Sequence, residues 1–494
     1  MTSALISALA RDLGAAGFTV DTLAELWGAD AAEALHRGHR VPALRALAAA
    51  EPTPAATLAT AFVLGLAVEP RALDEALPTL TAAGAVELGL VAVDGTPLLD
   101  LRPYSVVDGR GVASWWIASD LGELALGHAI PEHHVLGVGG ASTTLSSLLV
   151  PAEVEVALDL GTGCGIQALH AARYARRVIA TDISERALAL AAFNAELNAV
   201  TSIEFRLGSL FEPVEGEQFG HVISNPPFVI TPRAESVPEY EYRDGGMIGD
   251  ALVASVVQSV GAHLIPGGIA QLLGNWECGE TDGLARVEAW VAETGLDAWV
   301  VERERQSVEQ YAETWIRDGG TRPGAEFDRL YAAWLDDFAT RQVAEVGFGY
   351  IALRKPVDGI PTLRRFEHYG QPLGGSLGDH IAAVFSAHDW LRGHDDESLR
   401  SSAVTIASDV TEERHYWPGE EHPTVMLLRQ GSGFARSVQM GTALSAVVGA
   451  CDGELTIGQI SDAVADLMQV DSDELSAEVL PELRELVLTG FLLP

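Results

Sequence analysis

The residues able to do chemistry crowd into one stretch, Ala157 to Phe228. It opens with Asp159-Leu160-Gly161-Thr162-Gly163-Cys164-Gly165, passes Thr181-Asp182 at the end of an apolar run, and closes with Asn225-Pro226-Pro227-Phe228. Glycines at alternate positions between a strand and a helix let the backbone turn tightly and approach a ligand with no Cβ in the way. The helix that follows presents its positive pole to that turn. A dinucleotide fingerprint spaces its glycines as Gly-x-Gly-x-x-Gly. Here the third glycine comes one residue early, and an acid stands two residues before the first. That acid disfavours a phosphate and suits a cationic ligand, such as one carrying an ammonium and a sulfonium. Asp182 stands where a carboxylate accepts hydrogen bonds from two ribose hydroxyls, or caps the helix that begins near Ser184.

Asn-Pro-Pro-Phe at a strand end is a different kind of device. Two prolines remove two backbone donors and stiffen the loop. The Asn225 side-chain oxygen and the Pro226 carbonyl then stand as two fixed acceptors. A planar NH2 group giving both its hydrogens to them turns its nitrogen lone pair outward, toward an electrophile. Transfer of a methyl group in line needs that orientation, together with preorganised dipoles as charge develops on nitrogen. Phe228 supplies a face on which a flat amide or base can stack.

The elements needed to hold these groups are legible as period and punctuation. Strand-like runs Val154–Leu160, Arg177–Thr181, Ile203–Leu207, His221–Ser224, Gly268–Leu273, Ala298–Arg303 and Val346–Leu353 alternate with helical stretches such as Ile166–Ala175, Glu185–Asn198 and Ala251–His263. That alternation predicts an α/β fold with a mostly parallel sheet covered on both faces. Residues 1–110 read as helices (Leu5–Ala15, Asp21–Gly38, Val41–Ala50, Arg71–Ala83) and then a hairpin about Asp94-Gly95, a winged-helix-like domain. Residues 111–355 form the catalytic domain. Residues 356–494 form a C-terminal α+β accessory domain, also winged-helix-like, opening in a Gly- and Pro-rich stretch and closing with a helix at Ser472–Leu488.

Composition narrows the partners. The formal net charge is −38, and Lys355 is the sole lysine. So acidic a chain repels phosphate backbones, which makes nucleic acid an unfavoured substrate and a protein, peptide or small molecule the favoured one. Cys164, Cys278 and Cys451 are far apart and show neither a disulfide framework nor a zinc spacing. No metal-ligand spacing marks His133-His134 or the His415-Tyr416-Trp417 cluster. The N-terminus lacks a signal-peptide pattern and the longest apolar run is too short to span a bilayer, so the expected location is the cytoplasm, with no membrane partner. The flanking domains could serve as lids or pair two copies of the chain.

The four motifs together, Asp159–Gly165, Ala180-Thr181-Asp182-Ile183-Ser184, Gly208-Ser209-Leu210-Phe211-Glu212-Pro213 and Asn225–Phe228, resemble those of class I S-adenosylmethionine-dependent methyltransferases. Within that class the resemblance is to the HemK/PrmC-type glutamine N5-methyltransferases, whose pattern the small-domain rRNA methyltransferases share. It covers the centre of the chain and leaves the flanking domains unmatched. It implies a Rossmann-like seven-stranded core and S-adenosyl-L-methionine as cofactor. It places Asp159, Gly161, Thr162, Gly163, Gly165, Asp182, Ile183, Ser209 and Leu210 about the cofactor, and Asn225, Pro226, Pro227 and Phe228 at the reaction centre. One departure stands out: the family usually carries an acid for the adenine amine where this chain has Ser209, so backbone groups near Leu210 are expected to carry more of that contact. Gly137–Leu145 is expected to line the methionine end, and Tyr242-Arg243-Asp244-Gly245-Gly246 the substrate mouth. The expected activity is N-methylation of a planar amide or amine of a protein or peptide. Its rivals are N- or O-methylation of a small natural product, N6-adenine methylation of RNA, and a degenerate core used as a binding module.

Overall fold

The structure, a computed structural model, describes residues 2–126, 130–233, 237, 243–375 and 377–494, the side chains of Glu123 and Leu124 excepted. Tyr242 lies outside the described residues. The chain divides into two compact units, Met1–Ser146 with Glu153–Tyr369, and Ser147–Ala152 with Gly370–Pro494.

The first unit contains, in chain order, β1 (Leu99–Asp108), β2 (Gly111–Asp120), β3 (Val154–Leu160), β4 (Ala175–Asp182), β5 (Ile203–Leu207), β6 (Phe219–Ser224), β7 (Leu264–Cys278), β8 (Asp297–Ser307), β9 (Glu345–Arg354) and β10 (Arg364–His368). The apolar runs pair as a sheet of order β10-β8-β9-β7-β6-β3-β4-β5. All its pairings are parallel except the two made by β9, with β7 and with β8. The seven expected strands are therefore present, in a Rossmann-like sheet, and an eighth joins the edge. Asp297 fixes it there: its buried carboxylate accepts from the Thr362 and Leu363 amides at 2.8 and 2.9 Å and pairs with Arg354 at 2.8 Å. From β3 the chain crosses through helix Ile166–Ala171 to β4 on one side, while β6 lies on the other. The carboxyl ends of β3, β4 and β6 thus border the crevice where the strand order reverses, the usual ligand site of an open α/β sheet.

The N-terminal segment packs on this core. Helices Thr2–Ala15, Val20–His36 and Val41–Ala49 follow the apolar period, the second kinked at Gly28, whose φ is 76°. The helix expected over Arg71–Ala83 is two helices, Pro70–Ala76 and Thr81–Glu87, with Gly84 inside the second. The hairpin expected about Asp94-Gly95 shrinks to the single bridge Val91↔Pro97, because the helix consumes residues up to Glu87 and Val68 docks on the turn through its amide to Gly95 O at 3.1 Å. The long hairpin is β1–β2, paired from Leu99↔Asp120 to Asp108↔Gly111. It rests on helices Ile166–Ala171 and Glu185–Leu197: Leu101, Ile117 and Ala118 share a core with Ile166, Leu169 and Leu190.

The second unit holds the helix Leu377–Arg392, a three-stranded antiparallel sheet of Val410–His415, Val425–Gln430 and Ser437–Met440, and the helices Thr442–Val448, Ile457–Met468 and Ser472–Leu488. A capping box of Thr456 and Gln459 starts Ile457–Met468. Its core gathers Leu444, Val447, Ile460, Leu483 and Phe491. Among the described residues no helix is long and apolar enough to cross a membrane.

Candidate functional site

Asp159 is the penultimate residue of β3 and is buried, 1% exposed. Burial pushes its carboxyl up to about 7; the Thr162 hydroxyl, donating at 2.6 Å, and the Ala168 amide offset part of that cost, while the charge of Asp182 adds to it. Its other oxygen, Oδ1, has no well-formed hydrogen bond. The turn that follows has φ of 77° at Gly161 and 54° at Gly163, with open space where a side chain would begin. Gly165 differs: its φ is 87°, and a Cβ there would stand 3.0 Å from the Ala191 Cβ, so it serves the packing of helix Glu185–Leu197.

Three groups hold the turn. Thr181 O accepts from the Gly161 and Thr162 amides, each at 2.9 Å. Asp182 accepts from the Gly163 amide on Oδ2 and the Ser184 amide on Oδ1, both at 2.9 Å, and each oxygen keeps acceptor capacity for a hydroxyl. The helix cap is Ser184, which accepts from the Ala187 amide, so the acid is spared that task. Asn194, fully buried, donates to the Cys164 and Ala118 carbonyls at 2.9 Å, joining the turn to β2.

The tetrapeptide leaves β6 beside this turn, with Ser224 Oγ donating to Leu160 O at 2.8 Å. Asn225 is half-buried, and its Oδ1 is buried without a hydrogen-bond partner. A buried acceptor left unmet costs about 1–3 kcal/mol, which a donor on a ligand would recover. Phe228 lies 5.6 Å from Phe348 and 6.5 Å from Trp315, centroid to centroid. The loop beyond it is pinned: the Val229 amide donates to Arg243 O at 3.0 Å, the Ile230 amide to Tyr311 Oη at 3.0 Å, and Thr231 to Asp244. Burial raises the Tyr311 phenol well above its ordinary value, so it stays protonated.

All of the expected site residues except Asp159 and Gly165 line one cavity of about 620 Å3. Ile183, 59% exposed, and Leu210, at φ 46°, give it an apolar flank, and Ser209 stands exposed beside them. Gly137, Gly139, Gly140, Ala141 and Ser142 line the opposite wall, held by Gln167 Nε2 donating to Ser142 O at 2.8 Å. Arg243, Asp244, Gly245 and Gly246 line the mouth. Arg243 is anchored there by Trp315 O at 2.8 Å and Asp318 at 3.1 Å.

The residues present fit S-adenosylmethionine: a glycine turn with open space above it, Asp182 on the cavity wall with Asp159 buried at the end of β3, an apolar flank, and Arg243 as the sole arginine or lysine among the described lining residues. Asp182 would hold the ribose, the Gly161–Gly163 turn and the Ser142 segment the amino-acid end, and Ile183 and Leu210 the adenine. When bound, that cofactor supplies an electrophilic methyl group.

Three residues at the site escape the sequence reading. Tyr311, Trp315 and Asn275 each support or line the mouth. The first two sit four apart on helix Val308–Asp318, a pairing that periodicity could have exposed; Asn275 was visible as a polar residue inside an apolar strand run. Trp276, on β7, is fully buried with its Nε1 donating to Glu302 at 2.7 Å.

Comparison with known proteins agrees with this geometry. A model described as "Methyltransferase small domain" matches residues 137–237, and two described as domains of unknown function match 15–102 and 382–494. A release factor glutamine methyltransferase of Xylella fastidiosa is 36% identical over 129 residues, 24% of this chain and 47% of that protein. A ribosomal protein uL3 glutamine methyltransferase of Bradyrhizobium diazoefficiens is 31% identical, over 28% of this chain and 45% of that protein. The chain spans about half the length of these relatives. A Methanocaldococcus jannaschii protein, named as a protein N5-glutamine methyltransferase, is 30% identical, over 30% of this chain and 75% of its own length. Among solved structures, a T. thermophilus 16S rRNA N2 G1207 methyltransferase is 18% identical and covers 52% of each chain with a TM-score of 0.29, too low to add to the strand order. With the glycine turn, Asp182 and the Asn-Pro-Pro-Phe loop around one cavity, the chain belongs to the class I S-adenosylmethionine-dependent methyltransferases of HemK/PrmC type.

Proposed function

We propose that this protein transfers a methyl group to a planar amide nitrogen of a protein or peptide. The observation that carries the reading is Asn225 Oδ1, a buried acceptor without a partner on the wall of the cofactor cavity. A side-chain carboxamide supplies the N–H it lacks. Phe228 supplies the face against which the amide plane lies, and Tyr311, through the Ile230 amide, keeps the loop from shifting. Orientation then falls to rigid groups rather than to the substrate. The relatives named above as acting on glutamine support the same chemistry.

Charge separates this reading from the RNA one. Among the described residues lining the cavity, Arg243 is the single arginine or lysine, and it is bound to Asp318; Asp182, Asp244 and Asp318 face it. A phosphate backbone finds no cation track there. The test is methyl transfer from labelled S-adenosylmethionine to glutamine-containing peptides, read by mass spectrometry. Transfer to the glutamine side chain, lost in Asn225→Ala while S-adenosylhomocysteine still binds, is the expected result. Transfer that survives Asn225→Ala would remove the role given to that side chain.

A further inference from the structure

Beyond Phe228 lies a second cavity, of about 290 Å3, lined by Asn275, Glu304, Gln306, Tyr311 and Thr314 among others. It shares Gly140, Ala141, Phe228 and Trp315 with the cofactor cavity, so the two are neighbours across one aromatic wall. Apart from those shared residues, its lining has no part in holding the cofactor or the methyl acceptor.

Its floor carries an unmet polar group. Asn275 is 1% exposed; its Nδ2 is held by Tyr311 Oη at 2.6 Å, and its Oδ1 is buried without a partner. A buried carboxamide with one open edge is satisfied most fully by another amide, which offers both N–H and C=O, whichever way the Asn275 amide is turned. Its rim carries a charge. Glu304 and Gln306 share the face of β8 turned to this cavity, Gln306 Nε2 donating to Glu304 Oε1 at 2.7 Å. Arg303 and Arg305 are engaged elsewhere: Arg303 lies over the Tyr350 and Tyr369 rings, and Arg305 binds Glu302 and Asp282. The exposed Glu304 makes no ion pair among the described residues, so an acid faces an amide-lined cleft with no cation to neutralise it.

We infer that this cavity is a second recognition subsite, which seats a residue adjoining the methylated one in the substrate, its peptide group on Asn275 and a cationic side chain toward Glu304. The inference rests on the reading that the substrate is a peptide. It makes Asn275 and Glu304 specificity-determining residues, one for the chain's backbone and one for its charge.

The test is binding, so that it stands apart from turnover. Protein loaded with S-adenosylhomocysteine is titrated with Nα-acetyl-argininamide, Nα-acetyl-norleucinamide and Nα-acetyl-glutamine amide, followed by ligand-observed NMR. The arginine probe should bind roughly two- to fivefold tighter than the norleucine one, the range of an exposed ion pair, and Glu304→Gln should erase that preference. Asn275→Leu should weaken both probes by about tenfold, with its thermal unfolding checked against the parent. Glu304 is exposed, so its variant keeps the test sound if Asn275→Leu unfolds. Equal binding of the arginine and norleucine probes, no measurable binding of either, or an arginine preference untouched by Glu304→Gln would each overturn the inference. Failure of the peptide reading shows differently: the affinities hold as stated, while no peptide accepts a methyl group.

Discussion

Asp159 is held in a place that costs the protein stability, and replacing it by asparagine should show by how much. Burial raises its carboxyl from 3.8 to about 7. Such a group stabilises the folded state fully below its unfolded value, and that stabilisation is lost as pH rises through the folded one, here between about pH 4 and 7. Three units at about 1.4 kcal/mol each set a ceiling of about 4 kcal/mol on the cost of keeping it ionised above about pH 7. Asparagine keeps the acceptor for Thr162 and never ionises. Cofactor-free Asp159→Asn should therefore unfold at higher temperature than the parent at about pH 8, by the equivalent of about 1–4 kcal/mol, and the gap should close as pH falls to about 4. The ligand pays the opposite way. A carboxylate several ångströms from a cation, at an effective dielectric near 20, contributes on the order of 2 kcal/mol, so the variant should bind S-adenosylmethionine at least about tenfold more weakly at pH 8. The parent's affinity should fall as pH drops below about 7 and the variant's should not. Thermal unfolding and titration calorimetry across that range measure both. A variant less stable than its parent at the higher pH, or one that binds the cofactor equally well, would refute the reasoning.

Tyr311→Phe should leave the Ile230 amide and Asn275 Nδ2 without their shared partner, costing about 2 kcal/mol in denaturant unfolding and lowering kcat more than it raises KM, since it loosens the loop that carries Asn225. Gly165→Ala puts a Cβ 3.0 Å from Ala191 Cβ at a φ of 87°, and should cost about 1–3 kcal/mol and weaken cofactor binding, read by the same unfolding and titration. Arg305→Met leaves the fully buried Glu302, which also accepts from Trp276, short of its cation; a loss of about 3 kcal/mol in unfolding is expected.

What could be read in advance follows from the range over which each interaction acts. The seven core strands are apolar runs bounded by turns, and buried parallel strands must read that way, so their presence and the mostly parallel sheet followed from alternation with helices. The glycine turn and the Asn-Pro-Pro-Phe loop are local, each imposing its geometry on neighbours in sequence. The residues that missed notice act across the fold. Tyr311 supports the Ile230 loop from a helix some eighty residues away in sequence; its spacing to Trp315 hints at a shared face, but not at that partner. β10 escaped because its attachment depends on Asp297, distant in sequence. The Asp94-Gly95 hairpin was misread because a strong turn signal says where the chain reverses, not how long its arms are; the helix Thr81–Glu87 had already taken the start of the first arm.

The central claim is that Asn225 presents a planar amide of a protein to the methyl donor. Labelled S-adenosylmethionine, incubated with the full chain and a cell lysate then separated into protein, RNA and small molecules, tests it most directly. Label should enter the protein fraction, on a glutamine or asparagine nitrogen by mass spectrometry, and Asn225→Ala should abolish it while S-adenosylhomocysteine affinity stays within a few fold. Label confined to RNA or to small molecules, or label in protein that Asn225→Ala leaves untouched, would contradict the account.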